Sequence, residues 1–255
     1  MIVLTGATGG IGTAVALRLA ARGEHLVLTA RDEQRLHDLA RRVREAGGTA
    51  DVHRCDLRDQ DAVAALSRDV LTRGVPDAVI ALAGHSIRRP LRDTFGRPHD
   101  LVRLTATNLL GPASLILALL EPMTARGSGT VVAVTSAAAR IPAPGWAAYG
   151  ASKSGLDAWL RAVRPEAARA GVRIAVVEMP LVATAMAAPT YGTDPRGALP
   201  VEDSAAMVLR ALDTRRTLLS PWWARLGAVL SQAAPSSAAR LAGTGAVVTA
   251  RLLRR

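Results

Sequence analysis

The sequence predicts an α/β fold, built on a parallel sheet with helices on both faces. Strand-like runs alternate with helical patterns along most of the chain, which is the order that repeated β-α units produce. Several of the strand-like runs are apolar at every position instead of alternating, so their strands are expected to be buried on both faces. The chain of 255 residues, 49% of them hydrophobic, is large enough to form the core of such a domain.

The alternation assigns strands and helices in order along the chain. The predicted strands cover residues 1–5, 25–30, 51–57, 77–84, 130–136, 173–180 and, more briefly, 216–221. The predicted helices lie near residues 11–22, 33–46, 59–73, 99–126, 150–170 and 201–213. No Pro/Ser-rich linker breaks the series before residue 221. We therefore expect one domain over residues 1–221, followed by an extension over residues 222–255.

The charge balance raises nucleic acid as a partner. Lysine and arginine number 32 against 21 acidic residues, for a formal net charge of +11. The arginines alternate with alanine and leucine, as on solvated helix faces, and no aromatic residues interleave with them as on a base-stacking surface. Nucleic acid is therefore not expected as a partner. The five histidines are scattered without metal-ligand spacing, so no metal is expected either.

The chain is expected to be cytoplasmic. Met1 is followed at once by the strand-like run IVLTG, which leaves no room for a signal peptide. Cys55 is the only cysteine, and a single thiol, which cannot form an intramolecular disulfide, fits a reducing compartment.

Glycines cluster in TGATGGIG, residues 5–12, where the first strand meets the first helix. Gly6, Gly9, Gly10 and Gly12 permit a tight turn, positive φ and the close approach of a phosphate to the backbone. The helix that begins there presents its N-terminal amides to an anion. A glycine-rich turn can also simply join a strand to a helix, but its place after the first strand favours a dinucleotide site.

The end of the second strand bears on which dinucleotide is bound. A carboxylate at this strand tip would bind the ribose 2′-hydroxyl of NAD, but the sequence LTARD places Arg31 there. A guanidinium group attracts a 2′-phosphate, which favours NADP(H) over NAD(H). Arg31 could instead cap a solvent-facing strand end, and Asp32 is open between ribose ligand and N-cap of the next helix.

The motif YGASK contains the only lysine of the chain, Lys153, four residues after Tyr149. In a helix this spacing places both side chains on one face. An ammonium group beside a phenol lowers the phenol pKa, so the phenol can exchange a proton with a carbonyl or alcohol oxygen. Ser136 ends the fifth predicted strand, where its hydroxyl could donate to a substrate oxygen. Chance placement of rare residues is the alternative.

Together these motifs resemble the short-chain dehydrogenase/reductase family. The elements that carry the resemblance are TGATGGIG, Asp56, LAG at 82–84, Asn108, Ser136 and YGASK, in familiar order and spacing over residues 1–221. The resemblance implies a doubly wound, Rossmann-like sheet of seven parallel strands. It also implies an NADP(H)-dependent oxidoreductase that transfers hydride between nicotinamide and a carbonyl or secondary alcohol.

The resemblance implies roles for individual residues. Tyr149 would be the acid/base, Lys153 would bind the nicotinamide ribose and lower the tyrosine pKa, and Ser136 would orient the substrate carbonyl. Asn108 would hold a water that links Lys153 to solvent, Asp56 would meet the adenine amino group, and Thr184 would meet the carboxamide end. The implied cofactor site comprises Thr5, Gly6, Thr8, Gly10, Ile11, Gly12, Arg31, Asp56, Leu57, Ala83, Gly84, Asn108, Tyr149, Lys153, Pro180 and Thr184.

Three residues depart from the family pattern. Leu82 stands where the family often has asparagine, which puts a hydrogen bond that stabilises the sheet in doubt. Leu181 stands where the family has a glycine after proline, and a leucine tolerates positive φ poorly. Pro165, inside the helix that carries Tyr149, is expected to kink that helix or shift a turn, which bears on the oligomer because that helix forms subunit contacts in the family.

The substrate is expected to be a small apolar carbonyl or alcohol compound. Its predicted pocket walls contain Ile87, Phe95, Ile141, Trp146, Met186 and Tyr191. Arg88, Arg89 and Arg140 could meet an acidic group, but exposure to solvent is the simpler expectation. The alternative function is a non-catalytic NADP(H)-binding sensor or scaffold, for which a damaged Asn-Ser-Tyr-Lys set would be expected.

The extension begins with an apolar stripe at helical spacing, formed by Trp222, Trp223, Leu226, Val229, Leu230 and Ala233. Pro235 is expected to end this helix, and Ser236 or Ser237 to cap a second, which Gly243 and Gly245 interrupt before the basic end. The stripe could wall the substrate pocket, form a contact in a homodimer or homotetramer, or lie on an anionic membrane. We expect a pocket wall or a subunit contact; peripheral membrane contact is the less favoured alternative.

Overall fold

The computed structural model describes residues 1–193 and 195–237. Its centre is a seven-stranded sheet in the order β3-β2-β1-β4-β5-β6-β7, and every neighbouring pair is parallel. The strands are β1 (Ile2–Thr5), β2 (His25–Ala30), β3 (Thr49–Arg54), β4 (Ala78–Ala81), β5 (Gly129–Ser136), β6 (Val172–Met179) and β7 (Leu218–Leu219). This confirms the predicted doubly wound, Rossmann-like class.

Helices cover both faces of the sheet. They are α1 (Gly10–Ala20), α2 (Glu33–Glu45), α3 (Gln60–Arg73), α4 (Leu91–Thr94), α5 (Pro98–Thr105), α6 (Gly111–Arg126), α7 (Ala147–Arg169), α8 (Ala188–Tyr191), α9 (Val201–Asp213) and α10 (Trp222–Ala233). The predicted long helices are present with boundaries shifted by a few residues, and the two single-turn helices α4 and α8 were not predicted.

The uniformly apolar strands arise because the sheet has a hydrophobic cluster on each side. In β1, Ile2 and Leu4 pack into the cluster formed with α1, α2 and α9. Val3, between them, points the other way and packs into the cluster formed with α3, α6 and α7. Successive side chains of a strand point to opposite faces, so a strand covered on both sides needs apolar residues throughout.

The strand order reverses between β1 and β4, which places the carboxyl ends of both strands at a topological switch point. There the buried Thr5 hydroxyl accepts hydrogen bonds from the amides of Leu82 and Ala83, each at 3.2 Å. These bonds join the ends of β1 and β4 at the position where Leu82 replaces the family asparagine. The ends of β1 and β4 are therefore joined by hydrogen bonds that do not involve the side chain at position 82.

The helix over Pro98–Arg126 is continuous, but Ala106–Leu110 form a π-helical turn between α5 and α6. Its inner side packs on the sheet through Leu115, Ile116 and Leu119, which are fully buried. Among the described residues it is the one helix long and apolar enough to cross a membrane. Core helices of soluble proteins have the same length and composition, so these two properties alone do not indicate a membrane span.

The helix α7 continues through Pro165 to Arg169. A proline inside a helix removes one backbone donor, so the helix loses the hydrogen bond to the carbonyl of Arg161. The flanking turns nevertheless keep their helical conformation, and Leu156, Leu160 and Ala167 remain buried against the sheet. Pro165 therefore does not end this helix, and Tyr149 and Lys153 lie well before it.

The helix α10 ends at Ala233, ahead of Pro235 as predicted, but the face that it turns to the domain is not the predicted one. Its buried residues are Ala224 and Ala228, and a Cβ added to Gly227 would lie 2.7 Å from Ile141 Cδ1. The large side chains are exposed, in a set that we call the outer face of α10: Trp222 77%, Trp223 45%, Leu226 53%, Val229 62% and Leu230 53%.

In the structure, α10 therefore contacts its own domain through the face opposite the predicted stripe. Close contact between a helix and a surface favours small residues, and alanine and glycine supply them on the inner face. The predicted subunit contact stays a prediction. The predicted second helix, with Gly243, Gly245 and the basic end, lies outside the described residues.

Candidate active site

The glycine turn after β1 is built from positions that exclude larger side chains. Gly6 has φ +66°, and a Cβ there would lie 2.8 Å from the backbone of Ala83. A Cβ on Gly12 would lie 2.2 Å from the carbonyl oxygen of Gly6, so the first turn of α1 presses on the loop. The N-cap of α1 is Gly9, which carries no side chain to occupy the free amides. The turn therefore presents an uncovered helix N-terminus, which suits a diphosphate.

The segment after β6 closes over this turn. A Cβ on Gly10 would lie 3.5 Å from the Thr184 methyl group, in ordinary van der Waals contact. The segment is held in place by hydrogen bonds from the Leu199 amide to the Leu181 carbonyl, 2.8 Å, and from the Ala183 amide to the Leu199 carbonyl, 3.1 Å. No residue other than glycine has positive φ among the described residues, so Leu181 occupies a conformation that leucine accepts.

Asp32 is the N-cap of α2, which is one of the two roles predicted for it. Its Oδ1 accepts a hydrogen bond from the Arg35 amide at 3.1 Å. The Arg35 guanidinium in turn donates to the carbonyl oxygen of Thr8 at 2.6 Å, so it braces the glycine turn from outside. The sequence analysis did not predict a role for Arg35. The available signal was its position at N3 of the helix that Asp32 caps, next to the end of β2.

Two guanidinium groups, of Arg31 and Arg58, and the carboxylate of Asp56 lie at the tips of β2 and β3. Arg31 is exposed at the end of β2, where a 2′-phosphate was predicted to bind. Asp56 pairs with Arg58, Oδ2 to Nη2 at 2.6 Å, so the carboxylate predicted to meet adenine already has a guanidinium partner. Hydrogen bonding from Arg58 and, more weakly, the charge of Arg31 lower the pKa of Asp56. Arg58 was not predicted as a site residue.

Asn108 lies in the π-helical turn and is fully buried. Its Oδ1 accepts from the His85 amide, and its Nδ2 donates to the His85 carbonyl, both at 2.8 Å. Nδ2 also donates to Ser152 Oγ at 2.9 Å, and that hydroxyl donates to the Tyr149 carbonyl at 2.8 Å. The amide thus connects the loop after β4 to the start of α7; Ser152 was not predicted.

Lys153 is buried beneath Gly84. Its Nζ donates to the Val134 carbonyl at 3.0 Å, and no carboxylate is near enough to pair with it in the part of the chain that the structure describes. A Cβ on Gly84 would lie 3.3 Å from both Lys153 Nζ and Asn108 Oδ1, so these two atoms lie side by side under the same loop. Burial lowers the pKa of Lys153 to about 8.

The side chains of Tyr149 and Ser136 lie within hydrogen-bonding reach of each other. Burial raises the pKa of the Tyr149 phenol, and hydrogen bonding with Ser136 opposes that rise. Ser136 is the N-cap of the following 3₁₀ turn, and its Oγ accepts from the Ala138 amide at 3.2 Å. The predicted lowering of the Tyr149 pKa is not found in the structure, because burial is the largest effect and raises it. The Lys153 ammonium group donates to the Val134 carbonyl.

Arg140 contacts two buried carboxylates rather than solvent. Its Nε lies 3.2 Å from Asp157 Oδ2 and 2.7 Å from Glu178 Oε1, and both acidic side chains are 1% exposed. Asp157 follows Lys153 by one turn of α7, and Glu178 lies near the end of β6. The pair therefore fastens the loop after Ser136 to the helix that carries Tyr149.

Arg89 is also held by protein, since its Nε donates to the buried Asp100 at 2.5 Å. Neither Arg140 nor Arg89 is therefore an exposed group, and both are engaged in ion pairs. Arg88, in contrast, is exposed, and its side chain lies about 3.6 Å from the position that a Cβ on Gly145 would take.

Aromatic rings form part of the predicted substrate wall. Trp146 stacks on Tyr191, with centroids 6.0 Å apart and planes at 9°, and meets Tyr149 edge to face at 5.6 Å. The predicted wall residues Phe95 and Met186 are instead 73% and 49% exposed. The ordered apolar wall beside Tyr149 is therefore the Trp146–Tyr191 stack.

Comparisons with known proteins agree with this arrangement. The family model described as short chain dehydrogenase matches residues 1–194. A fatty acyl-CoA reductase of Acinetobacter baylyi is 34% identical over 91% of this chain and 79% of its own. A fatty acyl-CoA reductase of Mycobacterium tuberculosis is 37% identical over 86% of this chain and 76% of its own. A metagenomic short-chain oxidoreductase, solved with NADP, has a TM-score of 0.73 at 32% identity, covering 86% of this chain and 94% of its own.

The ion pairs of Arg140 generate a stability prediction. Arg140→Met leaves the Asp157 and Glu178 carboxylates buried with fewer partners, which should lower the free energy of unfolding by roughly 3 kcal/mol in urea titrations. The matched control is Arg161→Met, which removes the other, half-exposed guanidinium on Asp157 and should cost under about 1 kcal/mol. Equal, small losses in both variants would show that Arg140 is not the principal partner.

The depressed pKa of Lys153 generates a prediction for stability against pH. The folded state holds this proton less tightly than the unfolded chain, so the penalty is complete below about pH 8 and disappears toward about pH 10.4. At pH 7, Lys153→Met should raise the free energy of unfolding by roughly 2–3 kcal/mol, after loss of one hydrogen bond. The advantage should shrink as pH rises through this window.

Urea titrations at several pH values, without cofactor, measure this difference. Tyr149→Phe serves as the comparison up to about pH 9, because burial raises the folded pKa of Tyr149 and its unfolded pKa is near 10, so the phenol is neutral in both states there. A difference between Lys153→Met and the unmodified protein that stays constant from pH 7 to pH 10 would contradict burial of a charged amine.

Proposed function

The chain belongs to the short-chain dehydrogenase/reductase family of oxidoreductases, and we propose that it transfers hydride between NADP(H) and the carbonyl or alcohol group of an apolar substrate. The observation that carries the proposal is the convergence of Ser136, Tyr149 and Lys153 beside the uncovered glycine turn. Ser136 ends β5, the Tyr149 phenol lies within hydrogen-bonding reach of it, and Lys153 Nζ donates to Val134 of the same strand. A sensor that had lost turnover would not need to keep this set together.

The cofactor site has the chemistry that a dinucleotide phosphate requires. The amides at the start of α1 are free for the diphosphate, and Gly6 and Gly12 allow its close approach. Arg31 supplies positive charge at the tip of β2, where the adenosine 2′-phosphate would lie, while the charge of Arg58 is compensated by Asp56. When bound, the nicotinamide group supplies or accepts the hydride.

The residues of the chain supply the proton and the orientation. In carbonyl reduction, Tyr149 gives its phenolic proton to the substrate oxygen as negative charge develops there. The Ser136 hydroxyl donates a second hydrogen bond to the same oxygen and holds it in place. The Lys153 ammonium, released from the Val134 carbonyl, would favour the phenolate that Tyr149 becomes. Asn108 holds the backbone on which these groups sit.

Within this class, we propose a long-chain fatty acyl compound as substrate. Two relatives that cover most of this chain carry the name fatty acyl-CoA reductase. The stacked Trp146 and Tyr191 offer a flat apolar wall beside Tyr149, which suits an alkyl chain better than a polar one. A panel of fatty acyl-CoA esters, fatty aldehydes and small ketones, followed by NADPH oxidation, tests this. NADPH binding without oxidation by any of them would favour the sensor.

Removal of the phenolic hydroxyl tests the proton donor. Tyr149→Phe should lower kcat by about 10²–10⁴-fold while NADPH still binds, because only the acid/base group is lost. Tyr191→Phe removes the other phenolic hydroxyl and keeps the stacked ring, so turnover should remain measurable. Turnover and NADPH fluorescence titrations separate the two effects. Near-normal turnover of Tyr149→Phe would refute the assignment.

Removal of the Arg31 charge at the tip of β2 tests the preference for NADPH over NADH. The unmodified protein should use NADPH more efficiently than NADH, and Arg31→Ala should reduce the ratio of kcat/KM values by about 10- to 150-fold. Arg42→Ala removes a charge from the exposed surface of α2 and should leave the ratio unchanged. Equal efficiency with NADH and NADPH in the unmodified protein would count against the proposal.

A further inference from the structure

The outer face of α10 is the most concentrated exposed apolar surface on a single helix of the described chain. Trp222, Trp223, Leu226, Val229 and Leu230 occupy about a third of the helix circumference, and the opposite side is anchored by Ala224 and Ala228. Because the small inner residues fix the rotation of the helix, the large side chains cannot turn inward. The exposed stripe is therefore a consequence of how the helix is seated.

A cationic cavity lies directly beside this face. Its volume is about 490 Å³, and its lining includes Arg210, Arg216, Arg225 and Trp223. Trp223 thus belongs to both surfaces, while Arg225 stands on α10 itself. All three guanidinium-bearing residues are exposed, and no carboxylate pairs with them within residues 1–193 and 195–237. Apolar side chains and uncompensated positive charge therefore lie next to one another.

The charge of the whole C-terminal region has one sign. From residue 214 onward the sequence contains seven arginines, at 215, 216, 225, 240, 251, 254 and 255, and no aspartate or glutamate. A second copy seated on this face would bring two such regions together, and like charges at an interface disfavour that arrangement. An anionic surface instead gains attraction from the same arginines.

We propose that the outer face of α10 binds the surface of an anionic phospholipid bilayer. The tryptophan and leucine side chains enter the headgroup and acyl boundary, and Arg210, Arg216 and Arg225 meet lipid phosphates at the mouth of the cavity. The helix lies along the surface and does not cross it, since its twelve residues are too short to span the hydrocarbon layer.

Binding in this orientation has a consequence for the active site. The inner face of α10 contacts Ile141, in the loop between Ser136 and Tyr149. A bilayer bound to the outer face would therefore lie one helix diameter from that loop, about 10–12 Å. The membrane inference does not depend on the proposed reaction; it adds that an apolar substrate is taken from, or returned to, a lipid phase.

Vesicle flotation of the full-length protein tests the proposal. Vesicles of equal parts phosphatidylcholine and phosphatidylglycerol should carry the protein upward, and pure phosphatidylcholine vesicles should carry much less. The triple variant Trp222→Ser/Trp223→Ser/Leu226→Ser should bind the anionic vesicles at least about tenfold more weakly, because apolar area no longer enters the bilayer. Leu117→Ser, which changes an equally exposed leucine on α6, should bind normally.

The electrostatic contribution to membrane binding is tested with a second variant and its control. Arg225→Gln should weaken binding to anionic vesicles, and the loss should be smaller at high salt because screening already reduces that attraction. Arg68→Gln, which removes an exposed arginine from α3, should have little effect. The emission of the exposed tryptophans should shift to the blue when anionic vesicles are added to the unmodified protein.

Three results would overturn the proposal. Failure of the full-length protein to float with anionic vesicles would exclude the bilayer as occupant. Equal binding of the triple variant and the unmodified protein would place the contact elsewhere. A lower molecular mass of the triple variant in solution, together with no vesicle binding by the unmodified protein, would identify the outer face as a contact between two copies of the chain.

Discussion

The geometry of the candidate site depends on the buried side-chain amide of Asn108. An amide has one acceptor and two donors, and Asn108 uses all three on the backbone of His85 and the hydroxyl of Ser152. These partners belong to the loop after β4 and to α7, so one side chain ties both to the long helix. The π-helical turn falls at this residue, a departure from regular helix that is frequent at functional sites.

Buried charge sets the electrostatic character of the region around this amide. Asp157 and Glu178 are buried but share Arg140, so each has a compensating partner. Lys153, one turn before Asp157, has only the Val134 carbonyl. The fold therefore neutralises the carboxylates and leaves the amine poorly compensated, which lowers its pKa. A buried and strongly perturbed titratable group of this kind is typical of functional sites.

Hydrophobic patterns and motif spacing in the sequence predicted the strands, the main helices and the position of the YGASK motif. The strands could be predicted because both sheet faces are covered and the runs are uniformly apolar, and YGASK could be placed because its spacing matches one helical turn. The partners of Arg140 and the role of Arg58 could not be predicted, because an ion pair depends on which loops meet in space. A leucine at 181 looked unfavourable, yet the backbone contact with Leu199 supplies a conformation that suits it.

The orientation of α10 shows that helical periodicity does not predict which face of a helix contacts the protein. A helical pattern identifies which residues share a face, but both faces of this helix are free of acidic residues and largely apolar. The stripe of large side chains has more apolar area to bury, so the sequence favoured that face as the buried one. In the structure the opposite face is buried, because its alanine and glycine residues allow the helix to approach Ile141 closely.

Because the chain has a single lysine, it carries only one side chain that ends in an amine. Every other basic side chain except histidine is a guanidinium, which does not react with acylating reagents under mild conditions, so Lys153 is the one side-chain amine. It is shielded by Gly84 and by the strand beneath it, yet its pKa of about 8 leaves part of the population uncharged and nucleophilic. The extent of amine labelling at Lys153 therefore reports how often this one loop opens, and the α-amine of Met1, the other amine in the structure, provides the internal reference.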